Sequence, residues 1–173
     1  LVEDEHTWNA LRREWPISTI QGADTYSLTG AGNYANIEYV LDSTGQYVTV
    51  QQLQSIRRFA AQSSTQQKPT YFAVNGIDTS GDVRIKMYPT PDAVYALDVY
   101  GFARQAELSA DNDVLLIPSK PVMYYALAFA ARERGEVGGQ TAGEIFGAAK
   151  QYTSDAIALD ASMNDLDNIW MTV

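Results

Sequence analysis

The chain has 173 residues, 46% of them hydrophobic and 19% charged, with 21 acidic against 12 basic side chains and a formal charge of −9. That length suits one folded domain, or one domain with an excursion, and a core of that size needs no covalent staple. With no cysteine, disulfides, zinc ribbons and thiol catalysis are excluded, and the acidic balance opposes general attraction to nucleic-acid phosphate.

No stretch approaches the roughly 20 apolar residues that span a bilayer, so no membrane partner is expected. The first residues, LVEDEHTW, lack the basic stretch and apolar run of a signal peptide. A start at Leu1 fits a processed or incomplete N-terminus.

The segment EDEHTWNALRRE (3–14) reads as a helix. Trp8, Leu11 and Trp15 fall at i, i+3 and i+7, which makes one apolar face. Pro16 closes it, because the residue before a proline avoids the helical region. The pattern then alternates. TYSL (25–28) is a short strand ahead of a TGAGN loop, and IEYVL (37–41) and QYVTV (46–50) pair as a hairpin around DSTG (42–45). Leu53, Ile56 and Ala60 return to helical spacing within QQLQSIRRFA (51–60). After the polar QSSTQQ come TYFAVNG (70–76), DVRIKMY (82–88) and VYALDVYGF (94–102). DTSG (78–81) turns the chain between the first two, and PTPD (89–92) joins the second to the third.

The last two strands read as a hairpin. Val83, Ile85 and Met87 point one way and Arg84, Lys86 and Tyr88 the other; Tyr95, Leu97 and Val99 alternate against Ala96, Asp98 and Tyr100. Each proline of PTPD removes an amide donor and fixes φ, so the ladder ends there and the edge is blunted.

Beyond LSADND, VLLIP leads into a helix capped by Ser119, with Pro121 in its first turn. VMYYALAFAARERG (122–135) is apolar nearly all round, the pattern of a helix buried on most sides, and Gly135, Gly138 and Gly139 stop it. The next helix opens with Thr141 and Glu144 at capping-box spacing. Ile145, Ala149, Tyr152, Ala156, Leu159 and Met163 form its stripe. The chain ends in NDLDNIWMTV, an acidic stem with an apolar tag.

Five or six strands between helical ends predict an α+β chain. Its expected parts are an antiparallel helical bundle from the N- and C-terminal helices (1–20 and 114–163), an inserted small antiparallel β-sandwich or partial barrel (21–113), and a C-terminal tail (164–173).

No catalytic pattern emerges. His6, the one histidine, sits on a charged segment and reads as a solvated surface residue; alone it builds neither a His-rich metal site nor a Ser–His–Asp arrangement. TGAGNYA (29–35) holds a loose G-x-G-x-x-A, but no helix starts there to cradle a pyrophosphate, so Gly30 and Gly32 read as turn residues. DND (111–113) lacks the further oxygen ligands and the distant Glu of a calcium loop and reads as a polar loop. Arg57–Arg58 and Arg132–Arg134 read as solvated helix ends or one side of a subunit contact. No catalytic residue, metal or cofactor is predicted, and the chain is not expected to be an enzyme.

The order of features carries a resemblance: Trp8, then YSLTGAGNYANIEYV, PTYFAVNG, VRIKMYPTPDAVYALDVYGFA and LSADNDVLLIPSKPVMYYALAFAA. Over residues 8–134 it resembles the head-to-tail adaptor proteins of tailed bacteriophages, of the tail tubular protein A type, and related head-completion connectors. The resemblance implies a structural virion protein at the head–tail junction, assembled in the bacterial cytoplasm. It implies a ring, typically of twelve copies, between portal protein and tail tube or nozzle protein, with DNA passing through the channel without specific binding. Interface candidates are Ile169, Trp170, Met171 and Val173 as a docking peptide, with Arg132, Arg134, Tyr88 and Tyr100. The tail docks on a neighbour or folds onto its own bundle; its sequence leaves both open. Alternative readings are a carbohydrate- or receptor-binding β-module of a tail structure, using exposed tyrosines, and a virion-carried cell-wall hydrolase.

Overall fold

A computed structural model describes residues 2–133 and 140–164. Its contacts divide the chain into two compact units, Arg12–Arg104 and Leu1–Leu11 with Gln105–Val173.

The first unit is built from β1 (Arg12–Ser18), β2 (Thr25–Ser27), β3 (Asn36–Asp42), β4 (Tyr47–Val50), α1 (Leu53–Gln62), β5 (Tyr71–Ile77), β6 (Val83–Tyr88) and β7 (Ala96–Phe102). The strands form one seven-stranded sheet in the order β1-β7-β3-β4-β5-β6-β2. It curls into a nearly closed barrel around one core, to which Trp15, Leu28, Val40, Val48, Phe72, Ile85, Met87, Leu97 and Val99 contribute. The alternation foreseen on β6 and β7 holds, with Val83, Ile85, Met87, Leu97 and Val99 inward.

Pairing is antiparallel except between β4 and β5, which are parallel. β4 makes the corner: Tyr47 and Val48 pair with β3, and Thr49 and Val50 pair with β5. A parallel neighbour needs a crossover of a dozen or more residues, and α1 with the polar loop after it supplies one. α1 lies on the outside of β5 and β6, where Phe59 meets Tyr71 and Tyr88 at ring-centroid distances of 6.4 and 5.7 Å.

The two short hairpins use one turn chemistry. In DSTG, Asp42 Oδ1 accepts the Thr44 and Gln46 amides at 2.8 and 2.9 Å. In DTSG, Asp78 Oδ1 accepts the Ser80 and Asp82 amides at 2.8 and 3.0 Å. Gly45 and Gly81 follow at φ +77° and +89°, a region that penalises any side chain.

Two expectations are corrected here. β6 and β7 are not a hairpin: β6 lies between β5 and β2, and β7 between β1 and β3. Residues 89–95 are a crossover past the ends of β2 and β1, fastened to the loop that joins those two strands. Gly22 N donates to Pro91 O at 2.9 Å, Thr19 N to Tyr95 O at 2.9 Å, and Tyr95 N to Thr19 Oγ1 at 2.7 Å. Pro91 is fully buried there, after a cis Tyr88–Pro89 peptide. Alternation says which face a strand buries, not which strand lies beside it.

Residues 3–14 are also not an α-helix. They hold two 3-10 turns, Glu3–Glu5 and Asn9–Leu11, the second of which runs directly into β1. Trp8 and Leu11 belong to the second unit and Trp15 to the barrel core, so the apparent stripe is shared between two units. Pro16 forbids a helix through it but is tolerated in an edge strand, and β1 pairs with β7 along all seven of its residues.

In the second unit, α2 (Ser119–Glu133) packs on α3 (Gln140–Asn164). Tyr124 meets Tyr152 at 4.5 Å and Phe129 meets Phe146 at 5.4 Å, an opposed order that makes the pair antiparallel. The predicted stop at Gly135–Gly139 lies outside the described residues. Of the predicted α3 stripe, Ala149 is buried and Ile145, Tyr152 and Ala156 half-buried, but Leu159 and Met163 are each 68% exposed. The N-terminal turns are tied to α3 through Asp160, which accepts from Asn9 N at 3.1 Å, Asn9 Nδ2 at 3.2 Å and His6 Nε2 at 3.0 Å.

Candidate partner-binding surfaces

α2 buries Pro121, Tyr125, Ala128 and Ala131 against its own unit. Its other side is apolar as well: Met123 and Leu127 are 65 and 53% exposed, with Ala126 and Ala130 exposed beside them, and Phe129, which packs on Phe146, lies at its edge. The expectation of a helix buried on most sides is therefore corrected. Met123, Ala126, Leu127 and Ala130 fall at i, i+3, i+4 and i+7, a face wide enough to seat a partner element. Around the start of α2 the unit forms a groove of about 470 Å³, lined by Pro118, Lys120, Pro121, Tyr152, Asp155 and Leu159 among others. This stripe was missed as a site because an all-round apolar helix reads as core. The signal was present all the same: a second helix can cover only one side of it.

The barrel presents a second surface. Tyr100 stacks on Tyr39 at 4.8 Å, Tyr39 meets Tyr47 edge-on at 5.9 Å, and Tyr100 Oη donates to Glu14 at 3.2 Å. Partial burial and the Glu14 carboxylate push the Tyr100 hydroxyl pKa up. This tyrosine strip runs across the outside of β4, β3 and β7 to β1. It can form because Tyr39, Tyr100 and Glu14 face outward directly opposite one another in register, while Tyr47, opposite Leu41, reaches Tyr39 diagonally.

The structure distributes the predicted interface residues. Tyr100 lies in this strip, Tyr88 packs beneath Phe59 of α1, and Arg132 is exposed at the end of α2. Arg134, Ile169, Trp170, Met171 and Val173 fall outside the described residues.

The candidate chemistry sites resolve into structural roles. His6 is not a solvated residue: it hydrogen-bonds Asp160 and meets the Trp8 ring edge-on at 4.9 Å. Gly30 and Gly32 do point their amides at an anion, but it is the chain's own Asp82 carboxylate, at 3.0 and 2.9 Å. Asp113 of DND accepts the Ser109 and Ala110 amides at 2.7 and 2.8 Å, as a loop staple. Among the described residues no group of three His, Cys, Asp or Glu side chains is placed to hold a metal, and no helix is long and apolar enough to cross a membrane.

The described residues thus form a small barrel and a helical hairpin, with polar clusters that hold loops and one apolar helix face exposed. The family model for SU10 adaptor proteins matches residues 2–171, and the chain belongs to that family of bacteriophage head-to-tail adaptors. No curated protein matches the chain significantly.

Proposed function

We propose that the chain is the structural connector of a tailed phage, forming a ring that joins the portal vertex to the tail and lines the path of the DNA. The observation that carries this reading is the open face of α2. Met123 and Leu127 are both large, apolar and substantially exposed. Burying each would contribute on the order of 1–2 kcal/mol before the costs of association. Such a face suits an interaction site, and adaptor-family membership supports portal and tail components as partners; we add further copies of the chain and, on the tail side, the tube or nozzle protein.

Twelve copies would fit the usual portal symmetry. DNA passes through without specific contact, since an acidic protein gains nothing by counterion release from phosphate. Arg132, exposed in the last turn of α2, Arg134, and Tyr100 and Tyr88 of the barrel contribute to the contacts, and Ile169, Trp170, Met171 and Val173 serve as a docking peptide on a neighbouring subunit or the portal. Assembly takes place in the host cytoplasm and the product resides in the virion.

Native mass spectrometry of the chain, alone and with portal protein, tests this reading. Multiple copies bound per portal are expected, even where the free chain is monomeric. A chain that stays monomeric and ignores the portal overturns it. Deleting 165–173 should leave the melting temperature nearly unchanged and abolish portal binding; a large loss of monomer stability would assign the tail to self-packing instead.

A further inference from the structure

We infer that the barrel carries two complementary faces, an acidic tyrosine face on β1, β7 and β3 and an arginine face on α1, and that the arginine face of one copy docks on the tyrosine face of the next. The inference rests on the ring reading and names surfaces that would build the ring.

The sheet order places the two faces. The β7–β3 pair is three positions from the β5–β6 pair in a nearly closed seven-stranded barrel, so the two lie on nearly opposite sides. On the first, Tyr39 and Tyr100 stack, Glu14 accepts the Tyr100 hydroxyl, and Asp98 lies two residues before Tyr100 on the same outward face. On the second, α1 packs over β5 and β6 and has no acidic residue, while Arg57 and Arg58 are exposed. Arg57 also donates to Asn75 Oδ1 at 3.3 Å, which holds its guanidinium on the β5 side.

The chemistry matches in kind: Glu14 and Asp98 beside two stacked tyrosines, against two adjacent guanidiniums, while Arg12 on the same side of β1 is already paired with Glu38 of β3 at 3.8 Å and leaves the face acidic. Arginine pairs with carboxylates through a planar fork and stacks on aromatic rings, and Arg and Tyr are typical anchors of protein interfaces. Two arginines on an acidic chain are too few for a nucleic-acid surface.

The placement dictates the symmetry. Faces on opposite sides of a barrel cannot both be satisfied by one two-fold partner. Each copy must use one face on the copy before it and the other on the copy after, a heterologous contact that closes into a ring or runs on as a filament.

A charge swap tests it, read by native mass spectrometry of the full chain with portal protein present. Arg57→Glu/Arg58→Glu and Glu14→Lys/Asp98→Lys should each lose self-association about 100-fold or more, because like charges then face each other across the contact. Mixed in equal amounts, the two variants should assemble again, since the reversed faces complement one another. Asp98→Lys and Arg58→Glu, paired in the same way, replace the double variants should Glu14→Lys disturb the fold through Tyr100. Variants that assemble like the wild type overturn this inference and leave the ring reading standing. So does a folded mixture that fails to recover. A wild-type chain that makes no contact with its own copies overturns both.

Discussion

Gly101 of β7 lies against the backbone of Asn36 in β3. A Cβ built on Gly101 would stand 2.2 Å from the Asn36 carbonyl oxygen and 3.0 Å from the Ile37 Cα. The pairing of β3 with β7 shifts register at this point, between Ile37 and Tyr39, so the glycine lets a bulged strand close onto its neighbour. Gly101→Ala should therefore destabilise the barrel by about 1–3 kcal/mol, the usual cost of overpacking. A chemical-denaturation midpoint unchanged from wild type would show that the strand can move aside.

Asp42 closes the first hairpin, with its side chain only 3% exposed. Its bond from Lys68, and then those from Thr44 and Gln46, hold the carboxyl well below the ordinary carboxylate range. An aspartate in the unfolded chain titrates near pH 4. The stabilisation is thus complete above about pH 4 and is lost as the pH falls from there toward the folded value. Asp42→Asn should cost on the order of 2 kcal/mol at neutral pH and flatten part of the acid-side fall in melting temperature. Asp78 and Asp113 are pulled down in the same direction by the Asp82 and Ala110 amides, so some of that fall should persist. Parallel pH–melting curves for wild type and variant would rule the Asp42 contribution out.

Asp160 ties the N-terminal turns to α3. Asp160→Ala removes the acceptor for Asn9 and His6 and should cost roughly 1–3 kcal/mol. It should also speed hydrogen exchange at the Asn9 amide. Exchange at the wild-type rate would mean the Asp160 carboxylate does not hold the turns, which keep the Asn9 Nδ2 bond to the Asp160 carbonyl at 3.1 Å.

Leu127→Glu probes the open face of α2. Leu127 is 53% exposed, so the substitution should change stability by no more than about 0.5 kcal/mol, yet the charge should abolish assembly on the portal. A variant that assembles normally would remove this face from the interface, and one that unfolds would make it core.

What was legible in the sequence was legible because it is local. Asp42 and Asp78 each announce a turn through residues two and four positions on. Val83, Ile85 and Met87 reveal their face by period alone, as do Leu97 and Val99. The order of these elements carried the family likeness along most of the chain. His6 was misjudged because its partner, Asp160, is 154 residues away.

The sequence by itself determined six of the seven strands, the buried faces of β6 and β7, the two aspartate turns and the pair of C-terminal helices, since each depends on neighbours within a few residues. Only the tertiary structure decided the rest. It put β6 and β7 on different neighbours, with the PTPD segment crossing between them, because strand pairing depends on how a whole sheet closes. It drew residues 12–18 out of an apparent helix and into the barrel wall, where pairing with β7 outweighs local preference. And it left Met123 and Leu127 uncovered, because how much of an apolar helix is buried depends on how many partners the fold supplies.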